Sequence, residues 1–229
     1  MWVIRSTRKR NNTVSHDSFQ EHSVTELTDA LASREPTPGG GVASATAAAV
    51  AVALGEMVTR LTANKKGYES AQEMLREYLP KLEAIRARLL ELADEDGKAF
   101  IPLSKAYKLP RKTEEEKAYR NSVLEEALRR ACEPPEYMME TICEAIDIVD
   151  DLTRIGSTML MSDVGAAATL LSSALRAACL NVFINARSMK DTDYATGLVS
   201  RTQSMLEDGC NKADAAYTRV ERGIRWRKN

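Results

Sequence analysis

The sequence predicts an all-α protein, an up-and-down bundle of about seven helices, and three observations lead to it. Every strong apolar periodicity runs at steps of three and four, and no segment alternates apolar and polar residues for long enough to make a strand. Two capping-box patterns, Ser23 with Glu26 and Thr113 with Glu116, stand where helices should open. No connection is long or polar enough to mark a domain boundary, so a single helical domain is expected over residues 23–229.

Residues 1–22 are expected outside that domain. Within residues 1–20, Arg5, Arg8, Lys9 and Arg10 face one acid, Asp17, without apolar periodicity, which reads as a disordered basic tail. His16 and His22, the only histidines, fall in or beside it, so the folded part is expected to work without imidazole. The Ser23 box opens a short helix to about Ala32, and the PTPGGG loop leads into a second helix over about Val42–Leu61. A long segment, Glu69–Leu109, follows with Pro80 and Pro102 as kinks or breaks. Thr113 opens a helix to Cys132, and the Pro134–Pro135 pair marks the start of another, to about Thr153. Ser162 is expected to cap a helix over Asp163–Met189, and Asp191 the last one, ending near Arg225.

Two of these helices are apolar nearly all round: the one from Val42, and the one from Asp163, where Arg176 is the only charge before Arg187. Such helices sit at the centre of a bundle or are shared with a second copy, which predicts a homodimer. The 229 residues carry 32 basic and 33 acidic side chains, a net charge of -1 that asks for no nucleic acid. No apolar stretch is read as long enough to span a membrane, since Val42–Leu54 already holds Ser44 and Thr46. Cys132, Cys143, Cys179 and Cys210 are scattered without a CxxC pair, which argues for reduced core thiols, no metal site and a cytoplasmic location.

With imidazole set aside, carboxylates, Lys and Tyr are the groups left to do acid–base chemistry. Leu75, Leu79, Leu82, Ile85, Leu89 and Leu92 form one stripe whose next member is Asp96. An acid in a core position is paired, neutral with a raised pKa, or facing a cavity. Asp163 stands in the first turn of its helix, where a carboxylate suits the dipole but also lies at the mouth of the bundle. Asn181 is eighteen residues further on and shares its azimuth, with Asn185 only about 40° away. About 27 Å of helix keeps Asn181 and Asp163 apart within one subunit, a distance that a second chain alongside would remove. Gly39, Gly40 and Gly41 are either plain loop punctuation or a helix start that a ligand can approach through its free N–H groups. Lys65 and Lys66, with Arg60, either match the helix dipole or form a basic rim for an anionic tail.

LASREPTPGGG before an alanine-rich helix, LGEMVTRLT with its lysine pair, DGKAF, AYKLP followed by TEEEK, SDVGAAA and LNVFIN occur in that order between Val24 and Gly223. In this the chain resembles the cyclodeaminase domain of formiminotransferase-cyclodeaminase and stand-alone bacterial relatives, including methenyltetrahydrofolate cyclohydrolases. The resemblance implies an all-helical homodimer that takes a tetrahydrofolate derivative and needs no cofactor beyond it. It also implies Asp163 as the acid/base carboxylate and Asp96 as a second acid. Pro38, Gly39, Gly40 and Gly41, with Asn185, would meet the substrate, and Lys65 and Lys66 its glutamate tail. Two motifs depart from the family's usual GGGS and GNxN-like loops: Val42 follows the glycines, and Gly156–Met159 precede SDVG. Those departures keep open a helical folate-binding or assembly protein of the same fold.

Overall fold

The computed structural model describes residues 18–225, in six α-helices: α1 (Val24–Leu31), α2 (Gly40–Thr62), α3 (Gln72–Tyr107), α4 (Glu114–Ile155), α5 (Met161–Ala186) and α6 (Thr192–Arg225). Both expected capping boxes form. The Ser23 N–H donates to the Glu26 carboxylate at 3.0 Å, and Thr113 pairs with Glu116 in the same way. Asp191 accepts the Tyr194 N–H at 3.0 Å as the expected cap of α6. Ser162 caps nothing: α5 opens at Met161 behind a short 3₁₀ turn, Thr158–Leu160, which already sets the chain direction.

One helix fewer than expected is present because the chain does not break at Pro134–Pro135. Pro135 has no N–H to give the Ala131 carbonyl one turn back, which ordinarily ends or kinks a helix. Here the Asn185 side chain of α5 donates to that carbonyl at 3.1 Å, so α4 runs on through 42 residues with both prolines buried. Pro80 and Pro102 are likewise inside α3, but on its exposed side, where water can satisfy the carbonyls they free.

The two nearly uncharged helices are the centre of the bundle. α2 packs against α3 and α5, and α5 against α4 and α6. They run antiparallel, since Gly40 at the start of α2 meets Asn181 late in α5, while Thr62 at its end accepts the Ser157 N–H at 3.0 Å. The Leu75-to-Leu92 stripe of α3 is buried as the periodicity requires, apart from the half-buried Leu79, with α3 packed on α2 and α4. Glu56, buried on α2, pairs with Arg86 of α3, the kind of ion pair that fixes how two helices face each other. Segments Gly40–Thr62 and Thr158–Ala186 are long and apolar enough to cross a membrane by length and composition, contrary to the sequence reading. Burial in this bundle accounts for 61% of the apolar window in the first and 50% in the second.

Part of each stays uncovered. Val50 on α2 and Leu180 and Ile184 on α5 are 54%, 66% and 61% exposed. Residues 1–17 of the expected tail lie outside the described residues. Ser18–His22, the rest of that expected tail, are seated on α3.

Candidate functional site

α2 begins on glycine for a reason visible across the bundle. Gly39 is its N-cap and has no side chain to cap with, and no side chain or loop carbonyl among the described residues accepts from the N–H groups of Gly40, Gly41 or Val42. Those three donors point out of the helix start, where the dipole is positive. Open space lies on the side of Gly39 where a Cβ would stand. A Cβ on Gly41 would overlap the carboxylate of Asp96, so only glycine lets α3 bring that acid against the first turn of α2. Pro38 is buried directly before this turn.

Asp96 makes no hydrogen bond or ion pair among the described residues. Burial alone raises its carboxyl from the ordinary 3.8 to about 6. The acid that breaks the apolar stripe is therefore neither bridged nor turned to solvent. Asn181 completes this end: its amide would stand 3.7–3.8 Å from a Cβ on Gly40, and it is anchored by donating to the Ala177 carbonyl at 2.9 Å, leaving its oxygen free. The sequence carried the signal for Asn181 in its azimuth on α5.

The other predicted residues lie elsewhere. Lys65, just past the end of α2, donates to the buried Ser157 hydroxyl at 2.6 Å and lies 5.6 Å from the Tyr68 ring centre. The Tyr68 hydroxyl accepts the Thr158 N–H at 2.9 Å, and hydrogen bonding from Thr158 holds its pKa below the usual value. Asp163, half-buried in the first turn of α5, belongs to this end and has no hydrogen bond or ion pair among the described residues. Lys66 is exposed and has no hydrogen bond or ion pair among the described residues. Asn185 has its amide on the Ala131 carbonyl, so the structure places it in the α4–α5 packing. One chain thus brings Pro38, Gly39, Gly40, Gly41, Asp96 and Asn181 together at one end, and Asp163, Lys65 and Lys66 at the other, about 27 Å away along α5.

The two motif departures also find their places. Val42 is wholly buried in the core, and Ser44, the nearest hydroxyl along the helix, donates to the Gly40 carbonyl at 2.6 Å. Ser157 in the altered loop is the residue that Lys65 holds. His22, expected outside the folded chemistry, stacks edge-on against Phe19 with ring centres 5.9 Å apart, and its Nδ1 is buried with no partner among the described residues. Two surface grooves are present away from Asp96. One, of about 490 Å³, lies between α3 and α4 and is lined by Tyr78, Lys81 and Asp147. The other, of about 430 Å³, lies between α5 and α6 beside Ser162, Gly165 and Tyr217. Neither combines free N–H donors with an unpartnered acid, so the glycine end is the stronger chemical site.

Comparison with known proteins agrees on one family. A family model described as formiminotransferase-cyclodeaminase matches residues 23–204. The chain is 34% identical over 199 residues to the methenyltetrahydrofolate cyclohydrolase of Methylorubrum extorquens, covering 87% of this chain and 96% of that one. It is 30% identical over 196 residues to the formimidoyltransferase-cyclodeaminase of Rattus norvegicus, covering 86% of this chain but 36% of that longer one. The crystal structure of formiminotetrahydrofolate cyclodeaminase from Thermotoga maritima superposes with a TM-score of 0.76 at 30% identity, over 90% of this chain and 99% of that one.

Proposed function

The chain belongs to the formiminotransferase-cyclodeaminase family, and from that footing we propose that it is a folate one-carbon enzyme acting on the carbon held between N5 and N10 of a tetrahydrofolate. It either closes 5-formiminotetrahydrofolate to 5,10-methenyltetrahydrofolate with loss of ammonia or hydrolyses the methenyl form to 10-formyltetrahydrofolate. The observation that carries this is Asp96: a mostly buried carboxylate, unpartnered, beside the open first turn of α2. A carboxyl titrating near 6 changes protonation within about one unit of neutral pH, the range in which a general acid–base group works best.

In the hydrolytic direction Asp96 takes a proton from the water that adds to the cationic amidine carbon. It returns that proton to N5 as the C–N5 bond breaks, and the hydroxyl left on the one-carbon unit releases its own proton to solvent as it becomes the formyl carbonyl. In the cyclising direction N10 attacks the formimino carbon and gives up its proton to the departing nitrogen, and the protonated carboxyl supplies the further proton with which ammonia leaves. The N–H groups of Gly40, Gly41 and Val42 hold the electron-rich pterin or the oxygen that develops on the one-carbon unit. This chemistry uses carboxylates and asks for no metal or further cofactor.

The working form proposed is a homodimer built on the uncovered apolar faces of α2 and α5. A two-fold axis across antiparallel helices exchanges their ends, which sets the Asp96 end of one chain opposite the Asp163 and Lys65 end of its partner. Asp163 then serves as the second acid, and Lys65 and Lys66 meet the glutamate tail.

Methenyl absorbance, followed with each folate in turn, tests the reaction: it grows with the formimino substrate or decays with the methenyl one. Tight folate binding without either change would identify a binding protein instead. Mixing Asp96→Asn with Asp163→Asn chains tests the shared site. Each variant alone is inactive, and hybrid dimers regain activity because one of their two sites is intact. A monomeric mass at micromolar concentration, or no recovery in hybrids, refutes the arrangement.

A further inference from the structure

Two acids two residues apart on α3 meet opposite fates. Asp96 has no partner, whereas Asp94, buried, accepts three hydrogen bonds from a segment more than seventy residues earlier in the chain. Its carboxylate takes the Ser18 hydroxyl at 2.8 Å, the Gln20 side-chain amide at 3.1 Å and the Phe19 N–H. A charged acceptor with three donors is among the stronger ways to hold a short segment. The Phe19 ring, buried with the residue 7% exposed, fills a notch that exists because residue 97 is glycine: a Cβ there would stand 2.5 Å from the ring edge and 3.3 Å from the Thr37 hydroxyl. His22 packs on the same ring. The seam between α3 and the Thr37–Pro38 loop, directly beside Asp96 and the α2 start, is thus closed by five residues that no helix contains except as one 3₁₀ turn.

We propose that Asp94 is a positioning residue for the Asp96 site. Its carboxylate straps Ser18–His22 along the seam so that Phe19, in place of water, walls the side of the pocket behind Asp96. This rests on the reading of Asp96 as the acid–base group and adds to it the segment that keeps that group dry. Without the strap, water reaches Asp96 from behind and the carboxylate is solvated before substrate arrives, which removes the match between its pKa and neutral pH. The nearby ionisable groups are Asp94, Glu95 and Lys98 on α3 and His22 on the strap. α2 offers only the uncharged Gly39–Val42 turn, and α5 the neutral Asn181. None of these charges contributes to the Asp96 shift, which burial alone produces.

The test titrates Asp96 in the full chain by carbon-13 NMR of its carboxyl, identified by the signal lost in Asp96→Asn, so no turnover is needed. The wild-type midpoint is expected near 6. Asp94→Ala releases the strap, and Gly97→Ala lifts the Phe19 ring without changing any charge while improving the helix propensity of α3. Both are expected to lower the Asp96 midpoint by at least about one unit toward the ordinary carboxylate value. The acid limb of kcat/KM should move by the same amount. A midpoint that stays near 6 in Gly97→Ala, with a cooperative melt showing the variant folded, overturns the proposal even if Asp94→Ala fails to fold. Failure of the folate reading is separate, since it shows as absent turnover in the wild type while the carboxyl titration still reports on the strap.

Discussion

Replacing Asp96 by asparagine should make the protein more stable at alkaline pH and nearly inactive everywhere. The magnitude comes from the burial of the acid. Its carboxyl is raised from 3.8 to about 6, roughly two units, and each unit corresponds to about 1.4 kcal/mol. The folded chain therefore holds the Asp96 proton more tightly than the unfolded chain. Between about pH 4 and 6 the native state binds more protons, so stability falls as pH rises through that window. Above it, the buried charge costs about 1–3 kcal/mol, the upper figure being the full two units. The neutral amide of the variant carries no such cost. Thermal melts of wild type and Asp96→Asn at about pH 8 should differ by roughly 3–10 °C in favour of the variant, and at about pH 4 by almost nothing. The same substitution removes the proton-transfer group, so turnover should drop by about 10²–10⁴-fold. Equal or lower melting of the variant at pH 8 would refute the claim that Asp96 is an unpartnered buried charge, and retained turnover would refute its role.

Two further substitutions follow from the same geometry. Gly41→Ala gains helix propensity yet drives a methyl group into the Asp96 carboxylate, so kcat/KM should fall by at least about 100-fold and the melting temperature with it. The neighbouring Gly40→Ala, whose Cβ meets only ordinary 3.7–3.8 Å contacts, should leave the fold intact and serves as the control in the same melts. Asn185→Leu strips the Ala131 carbonyl of its donor in the middle of α4, which should cost about 1–3 kcal/mol in denaturant unfolding. Folate KM should stay unchanged in that variant, and a rise in KM without loss of stability would restore Asn185 to the substrate.

The helical architecture was legible because its signals are local: both capping boxes and the α3 stripe depend only on residues within one or two turns. The uninterrupted α4 was not, because whether Pro135 ends a helix depends on a donor 50 residues later in the chain. Asp96 was visible as an acid in a leucine stripe, and the glycines as a helix start. Nothing in the sequence said that the absent side chain of Gly41 is what admits Asp96. Asn181 had the right azimuth on α5, but its neighbours come from α2. The Ser18–His22 segment is too short for any periodicity, and its docking is written in Asp94, which reads by itself as one more charge in an acidic run.

The splice between Pro135 and Asn185 also sets an order of events during synthesis. A ribosome that has just released residues 134 and 135 has made a rod with a soft joint, and the amide that stiffens it is still about 50 residues from being translated, roughly 3–10 s at ordinary elongation rates. Until then the part of the rod after the joint can swing away from the part before it. The molecule's longest element is therefore completed late, when the central helix slides in beside it and supplies the missing hydrogen.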